Sequence, residues 1–87
     1  MLTSEQIRAA RALLRMEQKD LAERSGVSLP TIKRLETQPG PLGAHGRTVD
    51  ALRTALEAAG IIFVEQNGEG PGVRLRKAAS GLTVGNG

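Results

Sequence analysis

Gln18-Lys19-Asp20-Leu21-Ala22-Glu23-Arg24-Ser25-Gly26-Val27-Ser28, continued by Leu29-Pro30-Thr31-Ile32-Lys33-Arg34-Leu35-Glu36, is the stretch that decides the fold. It holds two short helical patterns with a tight turn between them. In the first, over 18–24, Leu21 and Ala22 face inward while Lys19, Asp20 and Glu23 face water. Gly26 stands where a helix ends in a left-handed conformation. Ser28 is suited to cap the second helix. Pro30 is tolerated in its first turn, where the missing N–H has no intrahelical partner. Ile32 and Leu35 anchor this second helix to the core. The spacing is that of a helix-turn-helix. The small Ala22 lets the helices approach, and Val27 fills the gap between them. The outer face of 28–36 is left free for a major groove, which is wide enough for one α-helix.

Reading outward, Thr3-Ser4-Glu5-Gln6 has the form of a capping box. Ile7, Ala10, Leu13 and Leu14 follow at helical spacing, which predicts a helix over about residues 4–15. Residues 37–47 are rich in Gly and Pro and read as a loop. Thr48 is the expected cap of a fourth helix carrying Val49, Leu52, Leu56 and Ala59, with Gly60 at its end. The period then changes. Ile61-Ile62-Phe63-Val64 reads as a strand, Asn67 to Gly72 as a loop, and Val73-Arg74-Leu75-Arg76 as the other arm of a hairpin. Residues 78–87 are small and Gly-rich, and poor order is expected there.

The run 18–28, with Thr31-Ile32 and Leu35-Glu36 after it, resembles the Cro/C1-type (XRE) helix-turn-helix regulators. The resemblance covers about residues 4–60. It implies a five-helix DNA-binding domain, usually part of a dimeric transcriptional regulator in bacteria and phages. This chain departs from that pattern twice, with a long Gly/Pro loop before the fourth helix and a strand pair in place of the fifth. The fold class is therefore mainly α: a four-helix, lambda-repressor-like helix-turn-helix domain at 1–60. A short C-terminal β-hairpin at 61–77, expected to mediate dimerisation, and a flexible tail at 78–87 complete the chain.

The resemblance also implies roles. Gln18 donates to a DNA phosphate and braces the next helix. Arg11 and Glu36 form a buried ion pair that joins the first helix to the end of the third. Position assigns the rest. Ser28, Leu29, Pro30 and Thr31 occupy the turn that reaches base edges. Thr31 can donate or accept, whereas Leu29 and Pro30 make apolar contact, most usefully with a thymine methyl. Arg34, one turn on, is the candidate reader of guanine O6 and N7. Lys33 is expected at a phosphate, and Arg47 at the DNA backbone.

Composition agrees with this reading and excludes others. The 87 residues make one small domain. Lys and Arg number 12 against 9 Asp and Glu, a net charge of +3, which suits an anionic partner without proving one. Residues 26–47 and 67–87 each carry a surplus of two positive charges, whereas 48–66 carry a surplus of two negative ones. With no cysteine, there are no disulfides, thiol nucleophiles or thiolate metal sites. His45 alone cannot build a metal site. No nucleophile with a base and no paired catalytic carboxylates stand out, so no enzyme and no cofactor are expected. No apolar run suggests a membrane span, and the start lacks the features of a secretory signal. The expected location is the cytoplasm, at the nucleoid.

A homodimer is expected from the strands. Both faces of 61–64 are apolar, and a two-stranded hairpin alone is marginal, with open edges. Ile62, Val64, Val73 and Leu75 are the candidate interface. The alternative cover is the loop 37–47 or the tail. The leading functional expectation is a repressor that binds a palindromic operator in double-stranded DNA as a homodimer. The alternative is an antitoxin or partner-binding module, in which the segment from about Gly60 contacts a second protein and the helix-turn-helix regulates its own operator.

Overall fold

A computed structural model describes residues 1–65 and 68–77. The tail expected to be flexible, 78–87, lies outside the described residues, as does Asn67 of the expected loop. Four helices are followed by two strands: α1 (Ser4–Leu14), α2 (Gln18–Ser25), α3 (Leu29–Thr37), α4 (Gly46–Ala58), β1 (Ile61–Val64) and β2 (Gly72–Leu75).

The helix boundaries follow local chemistry. Thr3 caps α1: its hydroxyl accepts from the Gln6 N–H at 3.1 Å, and the Gln6 side chain accepts from the Thr3 N–H at 3.0 Å. α1 stops at Arg15, which takes a left-handed conformation with φ of 53°. Gly26 ends α2 with φ of 79°, as its sequence position demands. Ser28 caps α3. The fourth helix departs from expectation. It starts at Gly46 with His45 as its N-cap, so Thr48 sits inside the first turn instead of capping it. The polar Thr48 marks the right neighbourhood, but the helix begins three residues earlier than a Thr48 cap would place it.

One aliphatic core holds the molecule together. Ile7, Leu21, Ile32, Leu35, Leu52, Leu56 and Ile61 are its largest fully buried apolar side chains. Each stabilises the fold by roughly 1.5–3 kcal/mol relative to an exposed position. Leu13 is a second departure. It is exposed, because Ile7, Ala10 and Leu14 already fill the inward stripe of α1.

The loop between α3 and α4 is tied to the N-terminal segment. Thr3 and Pro41 form an antiparallel bridge. The Ser4 N–H donates to the Gly40 carbonyl at 2.9 Å, and the Leu42 N–H to the Leu2 carbonyl at 3.1 Å. The Glu5 carboxylate accepts from the Gly40 N–H at 3.1 Å.

β1 and β2 pair antiparallel in the register Ile61 with Leu75, Ile62 with Arg74, Phe63 with Val73 and Val64 with Gly72. Paired residues share a face. Ile61, Phe63, Val73 and Leu75 therefore lie on one side, and Ile62, Val64 and Arg74 on the other. Ile61 belongs to the helical core, with Phe63 and Val73 packed against it. Arg53 stacks over the Phe63 ring, 5.3 Å from its centroid. The Gln6 amide donates to the carbonyls of Gly72 (2.9 Å) and Val64 (3.4 Å), fastening the hairpin to α1.

Candidate nucleic-acid interface

The α2–α3 pair is held by a buried polar cluster. Glu36, at the end of α3, has a side chain only 5% exposed. Its Oε1 accepts from Arg11 Nη2 at 2.6 Å, and its Oε2 from Arg11 Nε at 2.7 Å. A third donor, Gln18 Nε2, reaches Oε1 at 2.9 Å. Arg11 Nη1 donates to the Met16 carbonyl at 2.9 Å. Ser4 Oγ adds a bond to the Glu36 carbonyl at 3.2 Å. The hydrogen bonds to Glu36 hold the Arg11 guanidinium charged more firmly than usual, against the opposing effect of burial. A bidentate arginine with further satisfied partners is the arrangement in which a buried ion pair is tolerated.

This cluster fixes the start of α2 beside α3. Gln18 uses one amide N–H on Glu36 and keeps a second. A shallow groove of about 510 Å³ runs past it, lined by Arg11, Glu17, Gln18, Lys19, Leu29 and Lys33. On the other side of α3 a concavity is bordered by Val27, Ser28, Thr31, Arg47, Thr48 and Ala51. α3 thus stands as a ridge between the starts of α2 and α4.

The exposed ridge is short. Ser28 Oγ accepts from the Thr31 N–H at 3.3 Å and donates to Thr31 Oγ1 at 2.8 Å. Ser28 is therefore committed to the cap. Leu29 and Thr31 are half-buried, while Pro30, Lys33 and Arg34 are exposed. Arg34 Nη1 lies 3.5 Å from the Gly43 carbonyl, a long contact at the limit of a hydrogen bond. Arg47 is exposed in the first turn of α4. The geometry thus brings Ser28, Leu29, Pro30, Thr31, Lys33 and Arg34 onto one helix, with Gln18 and Arg47 on opposite flanks.

Three contributors escaped the sequence reading. Lys19 lines the α2-side groove next to Gln18. His45 and Thr48 line a concavity with Thr31 and Arg34. The start of α4 has no side-chain cap from His45 and no acidic residue in its first turn. That acid-free run, His45-Gly46-Arg47-Thr48, is the signal that could have found it, since an uncapped helix start favours anions.

The hairpin candidates do not gather on one face. Ile62 and Val64 point outward with Arg74, while Val73 packs toward the core. Leu75 shares the inward-facing side but remains 48% exposed at its rim, against Gly60.

Among the described residues no group of three or more His, Cys, Asp or Glu could hold a metal ion, and no helix is long and apolar enough to cross a membrane.

A short exposed helix braced from behind, with two further helix starts beside it, defines a helix-turn-helix DNA-binding domain. Residues 7–41 match the family described as Helix-turn-helix, which supports the resemblance to the Cro/C1-type (XRE) DNA-binding transcription regulators. That family is in general not enzymatic. No curated protein matches the chain.

Proposed function

We propose that the protein is a sequence-specific repressor that binds a palindromic operator as a homodimer, with α3 in the major groove. The observation that carries this reading is the fixed, exposed ridge of α3 between the starts of α2 and α4. In this docking Thr31 and Arg34 reach base edges, with Arg34 leaving the Gly43 carbonyl for guanine. Leu29 and Pro30 touch thymine methyls, and Ser28 holds the turn in place. The free N–H of Gln18, Lys33 and Arg47 meet phosphates and set the register.

Few phosphates are within reach of one subunit, so a monomer binds weakly and with steep salt dependence. A second subunit doubles the contacts. The outward hairpin side chains Ile62 and Val64, with Leu75 at the rim, support a dimer through the strands. Val73 takes part only by backing that sheet. The long dimensions of the molecule, 39 and 34 Å, suit subunits set side by side on successive major grooves, about 34 Å apart. Repression is favoured over activation because a helix-turn-helix domain of this size leaves little surface of its own to recruit polymerase.

The test is selection of genomic fragments by the purified protein at near-physiological salt, combined with sedimentation of the free protein. A palindromic motif with half-sites about one helical turn apart, and a dimer at tens of micromolar, are the expected results. A stable monomer bound to a single half-site would overturn the dimeric operator.

A further inference from the structure

We infer that α3 is a reader of keto bases: the DNA strand it faces carries guanine and thymine, not adenine and cytosine, at the contacted positions. The inference rests on the DNA-binding reading above and concerns which base edges that site accepts.

It follows from an inventory of the polar atoms on the helix. The sole carboxylate of α3, Glu36, is buried, and both its oxygens are occupied by Arg11 and Gln18. No Asn, Gln or Asp lies between Ser28 and Thr37; Gln38 comes only at the far cap. Lys33 and Arg34 can only donate. Ser28 and Thr31 share one hydroxyl–hydroxyl bond, and with Ser28 as its donor the Thr31 proton is the one left to give. Leu29 and Pro30 present only carbon. The Thr37 hydroxyl donates back to the Arg34 carbonyl at 2.7 Å, at the end of the helix away from its capped start. The exposed carboxylate of Glu17, the N-cap residue of α2, borders the groove beside Lys19 and Lys33. In the proposed docking that is where the phosphates run.

A surface of donors and aliphatic carbon, whose acceptors are two hydroxyl oxygens already engaged with each other in the helix cap, selects among bases. In the major groove guanine offers two acceptors, N7 and O6, and thymine offers O4 and a methyl group. Adenine and cytosine each present an amino group there. Against α3 that amino group meets no carboxylate or amide oxygen, only the hydroxyl oxygens of Ser28 and Thr31, each of which already accepts a bond within the cap, and a desolvated, poorly paired donor is unfavourable. Each half-site therefore has a keto strand under the first two turns of α3. In a palindrome that strand alternates between the two halves.

The experiment is selection from random double-stranded DNA with the full-length protein, followed by atom-level substitution in the selected half-site. On the contacted strand, 7-deazaguanine for guanine removes an acceptor, and uracil for thymine removes the methyl. The first is expected to weaken binding by about ten-fold at the Arg34 position, the second by several-fold. Replacing an adenine by purine deoxynucleoside, which lacks the amino group, is expected to change affinity less than about two-fold. Arg34→Gln supplies an acceptor, and its expected effect is a switch from guanine to adenine at one position. A half-site in which loss of adenine or cytosine amino groups abolishes binding would overturn the inference while leaving the DNA-binding reading intact. Failure to select any DNA would overturn both.

Discussion

The helical part and the hairpin differ in how they cover their apolar surface. Each helix shows one apolar side, and the chain itself covers it; the polar groups buried among them, Glu36 and Gln6, have partners for their charges and amides. The hairpin has apolar side chains on both faces. Its inner side joins the same core through Ile61, while Ile62 is 39% exposed. The comparison teaches that the helical part, completed by Ile61 of the hairpin, has its apolar surface covered within the chain. The hairpin, firmly attached on one side, has apolar area to spare on the other, which is what a subunit interface requires.

The sharpest way to break the helical half is to strip Glu36 of its arginine. Arg11→Met leaves a buried carboxylate with Gln18 as its remaining side-chain partner. The expected loss is about 3 kcal/mol, since removing one member of a buried pair strands the other. For a domain of this size that lowers the melting temperature by more than about 10 °C. Arg11→Met combined with Glu36→Leu removes both charges and should recover much of the loss. Thermal unfolding followed by circular dichroism reads both variants; equal loss in the single and the double variant would show that packing, not the charge, is what matters.

Two adjacent isoleucines test the contrast inside the hairpin. Ile61 is 1% exposed and lies in the core. Ile61→Ala should destabilise the fold by about 2–3 kcal/mol in urea unfolding. Ile62→Ala, one residue on and on the opposite face, should change the stability of the monomer by less than about 1 kcal/mol. In the proposed dimer it should nonetheless weaken self-association measured by sedimentation. An Ile62 variant with unchanged association would remove that face from the interface. The DNA side is tested separately: Arg34→Ala should lower affinity for the selected site by about 1–3 kcal/mol and relax the preference at one base pair. Equal weakening on specific and random DNA would assign Arg34 to a phosphate instead.

Much of this was legible in the sequence, and the gaps have physical causes. The turn at Gly26, the cap at Ser28, the capping box at Thr3 and Gln6, and a hairpin whose second strand, expected at 73–76, lies one residue earlier at 72–75, all follow from residue chemistry over a few positions. The ion pair of Arg11 with Glu36 was available only through family resemblance, because residues 25 apart carry no local signal of contact. Leu13 looked apolar and helical, yet α1 has more apolar positions than its inward stripe can use. The start of α4 was misplaced because Thr is a better cap than His by propensity, while the loop tied to Leu2–Ser4 sets where the chain turns into the helix. The strand register, which separates Val73 from Val64, depends on how many residues the connecting loop takes up. Alternation within each strand says nothing about that number. The candidate interface residues on α3 were legible because a helix-turn-helix fixes them by position alone. The partners that restrain them, Gly43 for Arg34 and Thr31 for Ser28, required coordinates.

A smaller effect is expected at the end of α1. Arg15 is the one residue other than glycine with positive φ among the described residues. A side chain in that conformation is strained by roughly 1 kcal/mol, which glycine relieves. Arg15→Gly should therefore stabilise the helical half by about 0.5 kcal/mol, the relief being partly offset by the greater freedom of glycine in the unfolded chain. Chemical denaturation resolves this. A loss of stability would mean that the Arg15 side chain makes a contribution larger than the strain of its backbone.

The smallest effect concerns how the loop before α4 is held. The Glu5 carboxyl is held below its ordinary range, first by its own backbone N–H, then by the Gly40 N–H, with Arg8 adding to the effect. A carboxyl with a depressed folded-state value contributes its stabilisation fully above the unfolded value, about 4.3. That contribution is lost as pH falls through the folded value. The loop contact should therefore be intact at neutral pH and weaken only in acid, and because the group is solvent-accessible the change in global stability should be slight. The Gly40 amide is the proper reporter, since it donates to both Glu5 oxygens at 3.1 and 3.3 Å. Its chemical shift should titrate with a midpoint below the ordinary carboxylate value, and Glu5→Gln should abolish the titration while leaving the helix-turn-helix folded. An amide that titrates at the ordinary value would mean that the loop is held by the Thr3–Pro41 bridge and its neighbouring backbone bonds alone, and that the side chain of Glu5 adds nothing to the placement of α4 beside α3.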